Sequence, residues 1–192
     1  MIIIGLTGEK RGGKGTLTEL LSNSLPDKKI IRMGFGDIVG DLLDILGKER
    51  SREEMQKLPI ILMNGYREPD VVTMAMKKRI GKIKNSEAGI IVLDGIRTWQ
   101  DLEMLRSFPE NLLVYVTASL ETRYRRAKAS NEKVGDKSLT FEQFKAQDEA
   151  EIERLIPEIG VTADFIIQNE STLDEYRRKA EIFIKYKIPA AE

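Results

Sequence analysis

The 192-residue sequence contains neither cysteine nor histidine. Without cysteine there are no disulfides, no thiolate nucleophile and no Cys-based zinc site; without histidine the commonest general base and metal ligand is gone. Surplus charge is missing too. Lys plus Arg equals Asp plus Glu at 31 each, so no global field recruits nucleic acid or an anionic membrane, and attraction for phosphate has to be local. No apolar run approaches membrane-spanning length, and the N-terminal apolar stretch lacks the basic start and small-residue cleavage site of a secretory signal. A cytoplasmic protein with neither a membrane nor a nucleic-acid partner is expected. The length suits one core, hence a single domain spanning residues 1–192.

What is present is concentrated at the start. Met1-Ile2-Ile3-Ile4-Gly5-Leu6 runs into Gly8-Glu9-Lys10-Arg11-Gly12-Gly13-Lys14-Gly15-Thr16 and then into Leu17, Leu20 and Leu21. The β-branched run suits a buried parallel strand, and the leucines at helical spacing suit an amphipathic helix packed back on it. Between them, glycines let the backbone curl so that amides point at a phosphate, next to the positive end of the helix. Lys14 stands where such a loop needs an ammonium for the outer phosphates. The usual pattern, GxxxxGK followed by Ser or Thr, is interrupted by Gly15, with Thr16 one place later. Gly8, Lys10, Arg11, Gly12, Gly13, Lys14, Gly15 and Thr16 are read as a site for a nucleoside triphosphate. Phosphoryl transfer is compatible with the missing His and Cys, because it relies on positioning and on charge stabilisation by Lys, Arg and Mg²⁺.

Four further strands are predicted at Lys29–Met33, Gly89–Asp94, Asn111–Thr117 and Ala163–Gln168, spaced for helical crossovers in a parallel α/β sheet. A helical stretch from about Ile38 to Ile83, punctuated by Gly47, Asn64-Gly65 and Pro69, reads as an insertion, and a second helical region, roughly Glu121–Ile156, is interrupted at Asn131–Ser138. A closing helix is predicted from Thr172 to about Lys185, with Leu173, Tyr176, Ala180 and Phe183 on one face. Asp94 ends its strand at the carboxyl edge, where ligands of open parallel sheets bind. It is read as organising Mg²⁺, with loop capping as the alternative.

Gly-Lys-Gly-Thr at 13–16 and Leu93-Asp94-Gly95-Ile96-Arg97-Thr98-Trp99-Gln100 resemble adenylate kinases, and Ala163-Asp164-Phe165-Ile166-Ile167-Gln168-Asn169 resembles the corresponding strand of dephospho-coenzyme A kinases and of archaeal adenylate-kinase-related proteins. The resemblance implies a P-loop NTPase of the nucleoside monophosphate kinase type: five parallel strands flanked by helices, an acceptor-binding insertion at about 38–84 and a lid at about 122–148. By carry-over Arg97 holds the acceptor's phosphate and Gln100 lies near its base. Gly36-Asp37-Ile38-Val39 matches the start of the acceptor-binding helix, which brings in Asp37. Gly40 stands where that helix carries an arginine, so another cation has to substitute, with Arg67 preferred among Arg32, Arg52, Arg67 and Arg79.

In Leu120 to Lys128, Arg123 and Arg126 match the lid arginines that close over the transferring phosphoryl group, Arg126 ahead of Arg123, and Asn169 to Ser171 lie where the family places the adenine of ATP. Asp148 and Glu151 are read as partners of the lid cations, although a carboxylate near the acceptor could also receive a hydroxyl proton. The expected function is Mg·ATP-dependent transfer to a small acceptor, a nucleoside or deoxynucleoside monophosphate. Transfer to a hydroxyl, as in dephospho-coenzyme A kinase, and a non-catalytic ATP-binding module remain the alternatives. The sequence lacks the NKxD segment of guanine recognition, so ATP is the expected nucleotide.

Overall fold

The computed structural model describes residues 1–65, 71–84, 88–129, 139–149 and 153–188. Five strands, β1 (Ile2–Thr7), β2 (Ile30–Gly34), β3 (Ile90–Asp94), β4 (Asn111–Thr117) and β5 (Phe165–Gln168), form one sheet in the order β2-β3-β1-β4-β5. Every pairing is parallel. The predicted strands were therefore the right ones, with β2 displaced by one residue, β3 beginning one residue later than expected, at Ile90, and β5 two residues later, at Phe165.

Side chains alternate across the sheet, as the pleat requires. Ile4, Leu6, Ile90, Val92, Val114 and Val116 pack on α1 (Lys14–Ser24) and α9 (Leu173–Lys187). Ile3, Ile91, Leu93 and Leu113 face the other way and share a core with residues of α2 (Phe35–Ile45), α4 (Val71–Ile80) and α5 (Trp99–Arg106). Both faces are covered, which is why these strands read as continuous apolar runs.

The helices refine the sequence expectations. α2 starts at Phe35 directly after β2 and ends where Gly47 adopts φ 65°, a left-handed terminus that glycine accepts without strain. α3 (Arg52–Gly65) runs through Pro59 and stops at the expected Asn64-Gly65; Pro69 lies outside the described residues. α6 (Leu120–Ala129) and α7 (Phe141–Asp148) flank the expected loop tip at Asn131–Ser138, which likewise lies outside them. Before β5 stands a short helix, α8 (Ile156–Gly160), that the sequence reading did not separate. On α9, Tyr176, Ala180 and Phe183 are buried as expected, but Leu173 is exposed because it is the first residue after the Thr172 cap, one turn short of the core.

Candidate active site

The loop between β1 and α1 stands at the carboxyl edge of the sheet. Its shape requires glycine at two points of close approach: a Cβ on Gly8 would lie 2.1 Å from the Val116 carbonyl oxygen, and Gly13 has φ 118° with the Asn169 amide 2.4 Å from where a Cβ would be. Carbonyl oxygens of residues 8–13 are turned onto named donors. The Lys14 ammonium donates to those of Gly8 and Glu9, the latter at 3.2 Å. Arg123 reaches that of Lys10 and Arg126 that of Arg11, each at 3.4 Å. Asn169 Nδ2 donates to Gly12 and the Tyr176 hydroxyl to Gly13, each at 2.9 Å. A trans peptide that points its carbonyl one way points its amide the other, so the amides of Arg11, Gly13 and Lys14 are turned away from Arg123, Asn169 and Tyr176, while that of Gly12 donates to the Glu9 carbonyl at 3.1 Å.

Lys14, the first residue of α1, is half-buried and bridges its own loop. Burial lowers its affinity for a proton; Asp94, Glu153 and Glu9 oppose that shift, and the Arg97 guanidinium adds to it. The ammonium thus stands among carboxylates and makes hydrogen bonds that an incoming phosphate could replace. Gly15 sits exposed on the first turn, where a Cβ would meet nothing within 4 Å.

Asp94 ends β3 as expected, and its Oδ2 accepts two hydrogen bonds from Arg32 of β2, at 2.7 and 3.2 Å. The sequence offered Arg32 as a possible acceptor cation; the structure gives it to Asp94. Among the described residues no group of three or more acidic side chains could hold a metal ion. One carboxylate suits Mg²⁺ that arrives with the phosphates and keeps most of its water.

Arg97, 36% exposed, follows Gly95 in the loop after β3. Its backbone amide donates to Asp101 at 3.0 Å, and Asp101 also accepts the Thr98 amide at 3.1 Å while Thr98 caps α5. The buried Asp101 takes a further hydrogen bond, 2.6 Å, from Thr73 of α4. Asp101 thereby ties the Arg97 loop to α4. The signal available in sequence was the spacing Thr-x-x-Asp, a capping box. Gln100 is exposed on the helix, and the residue that caps that helix is Thr98.

The AAA_18 model, described as an AAA domain, matches residues 4–154, from the middle of β1 through the segment that follows α7. The chain belongs to the AAA_18 family. Among its relatives, a UPF0200 protein of Sulfurisphaera tokodaii is 28% identical over 183 residues, 95% of this chain and 96% of that protein. Another, of Thermococcus sibiricus, is 26% identical over 181 residues, with 94% and 92% covered. Of solved structures, a shikimate kinase from Bacteroides thetaiotaomicron superposes with a TM-score of 0.60 at 12% identity, covering 96% of this chain and 97% of that one. A gluconokinase from Sinorhizobium meliloti gives 0.53 at 14%, covering 93% and 89%. These likenesses are of fold: this AAA_18 chain has the α/β P-loop architecture found in those kinases.

In this AAA_18 member the two matched arginines of α6 are structural ties. Arg123 is 5% exposed; its Nε donates to the Ala118 carbonyl at 2.9 Å, and Nη1 and Nη2 donate to the Asp148 carboxylate at 2.6 and 2.5 Å. Asp148 thus pairs with a cation of α6, as read, and α7 is fastened to α6, with Tyr124 packed on Phe141 and Phe144. Arg126 donates to Asn169 O at 2.8 Å and Oδ1 at 3.0 Å, and burial lowers its pKa. Arg125 is the exposed one of the three. Asn169 is buried against the loop, and Glu170 accepts from Ser119, so both side chains are engaged in holding the end of β5 to the loop and to α6.

Around the insertion, Asp37 caps α2, its Oδ2 accepting the Gly34 amide at 2.8 Å. Arg67 and Glu151 fall outside the described residues. A guanidinium does stand over Gly40, but it belongs to Arg50: a Cβ on Gly40 would meet Arg50 Nη1 at 2.6 Å. Arg50 pairs with Asp41 at 3.1 Å and with Asp44, and Arg79 also pairs with Asp41. Sequence reasoning missed Arg50 because the turn at Gly47 is what brings it back over α2.

It also missed Glu9 and Glu153 as site groups. Tyr115 of β4 donates to Glu9 Oε1, and burial together with this bond pushes the phenol up to about 12. Glu153 is 5% exposed, with Lys10 Nζ at 3.5 Å and Arg97 Nη2 at 3.9 Å from its Oε1.

Proposed function

We propose that the chain is an ATP-dependent phosphotransferase that uses the loop at residues 8–16 to hold Mg·ATP and delivers the γ-phosphoryl group to a small acceptor near Arg97. The observation that carries this reading is the loop itself: carbonyls of Lys10 to Gly13 turned onto Arg123, Arg126, Asn169 and Tyr176, with the ammonium of Lys14, at the start of α1, resting on those of Gly8 and Glu9. Such a cradle suits the phosphates of a nucleotide. Lys14 would exchange the Gly8 and Glu9 carbonyls for phosphate oxygens. Thr16 and Asp94 would hold Mg²⁺ through its water, and the ion would neutralise charge developing on the phosphates. Arg126 would leave the Asn169 carbonyl to reach the migrating group, while Arg123 keeps α6 fastened to α7. Lys10 and Arg11 supply further positive charge, and Asn169 fixes the loop from the side on which adenine is expected.

For the acceptor, two chemistries fit the residues. The half-exposed Arg97 guanidinium suits the phosphate of a nucleoside monophosphate, whose remaining parts the resemblance assigns to Asp37 and Gln100. The buried carboxylate of Glu153, facing the same guanidinium, suits a hydroxyl. A screen of ADP formation with ATP and Mg²⁺ against nucleoside and deoxynucleoside monophosphates, dephospho-coenzyme A and small polyols tests the proposal. Acceptor-dependent ADP release is the expected result. Tight ATP binding with no transfer to any acceptor or to water would make the chain a binding module instead.

A further inference from the structure

Three buried side-chain oxygens lack a hydrogen-bond partner among the described residues: Thr7 Oγ1, Glu9 Oε2 and Glu153 Oε1. They belong to one place. Thr7 ends β1, Glu9 follows in the loop, and Glu153 faces Lys10 of the same loop. Buried polar groups are normally paired, so an orphan set at and against this loop calls for a ligand that brings donors. Glu153 is the most telling of the three. Its side chain is 4% exposed, and the two cations nearest it, at 3.5 and 3.9 Å, stand beyond ordinary hydrogen-bond range. Its one orphan oxygen lies between the loop that would hold the donor nucleotide and the arginine that would hold the acceptor.

We infer that the acceptor presents a hydroxyl and that Glu153 receives its proton. The inference rests on the phosphotransferase reading above and names its substrate class. As the acceptor oxygen bonds to the γ-phosphorus, its O–H bond breaks and the proton passes to Glu153. The bond from the γ-phosphorus to the bridging oxygen breaks at the same time, and its electron pair leaves on ADP. Charge beside Arg97 favours a neutral acceptor over a second phosphate: Asp94 is paired with Arg32, and the buried Glu153 carboxylate stands 3.9 Å from the Arg97 guanidinium.

Water is itself a hydroxyl acceptor, so the test does not require the natural substrate. Single-turnover conversion of ATP to ADP is measured with Mg²⁺, first in water alone and then with dephospho-coenzyme A, shikimate, gluconate or a nucleoside monophosphate added. ATP affinity is measured by calorimetry in parallel. Glu153→Gln is expected to slow ADP formation by about 10² or more, the scale of a general base. Its ATP dissociation constant should stay within about threefold, because the group acts in the transition state. Glu153→Asp, which keeps the carboxylate but withdraws it, should recover part of the rate, and it decides the matter if Glu153→Gln does not fold. Unchanged rates in these variants, or a nucleoside monophosphate outpacing the hydroxyl acceptors, would each overturn the inference. An ATP-loaded parent that turns over nothing, or a parent that binds no ATP, would instead remove the reading on which it rests.

Discussion

At the scale of single residues, the site is a loop held in shape by side chains from distant strands and helices. Asn169 is the clearest case, since its amide donates to Gly12 and its oxygens accept from Arg126. Asn169→Ala should cost about 1–3 kcal/mol, the scale of leaving buried partners unpaired, measured by urea unfolding, and ATP affinity should fall with it. Full stability in this variant would mean that the loop holds its shape unaided. Asp94→Asn should reduce turnover far more than ATP affinity, and the loss should vary with Mg²⁺, because the ion acts on charge that develops during transfer. Equal activity across a Mg²⁺ titration would leave Asp94 as the partner of Arg32 alone. The residues legible in sequence were those with a local signature: Gly8 to Lys14, Asp94 at a strand end, Arg97 beside it. Glu153 and Tyr115 were not, because what gives them meaning is contact with residues 9 and 10, more than a hundred positions away.

At the scale of elements, α1 carries a glycine that nothing in the chain requires. Gly15 is helical, has no positive φ and would meet no atom within 4 Å. Gly15→Ala should therefore stabilise the fold by about 0.5–1 kcal/mol, read as a higher urea midpoint; a loss of stability would contradict the open space. Gly40 is the opposite case. Its replacement would collide with Arg50, so the space that the sequence left open for an arginine at this position is already filled. The edge strand offers a pH test. Asp164, just before β5, loses some solvation on folding, but hydrogen bonds from Arg106 and the Leu113 amide, each at 2.7 Å, outweigh that and hold its carboxyl below its ordinary value. A carboxyl with a lowered folded pKa adds stability above its unfolded pKa of about 3.9 and loses it as pH falls through the folded value. Between about pH 5 and about pH 2.5 the melting temperature of the parent should therefore drop more steeply than that of Asp164→Asn. Identical slopes would remove Asp164 from the acid response.

At the scale of the whole molecule, the fold was largely legible, because parallel strands buried on both faces announce themselves as apolar runs and their spacing dictates crossovers. The sheet order and the way α6 fastens to the loop were not, since these depend on long-range contacts such as those of Arg126 with the carbonyls of Arg11 and Asn169. No described helix is long and apolar enough to cross a membrane. The account stands on the loop at residues 8–16 as a triphosphate site, and calorimetric titration of Mg·ATP into the parent and into Lys14→Met tests it most directly. Charge-assisted hydrogen bonds of about 1.5–3 kcal/mol predict that the variant binds about 10- to 100-fold more weakly. A folded Lys14→Met that binds Mg·ATP as tightly as the parent, or a parent that binds none, would contradict it.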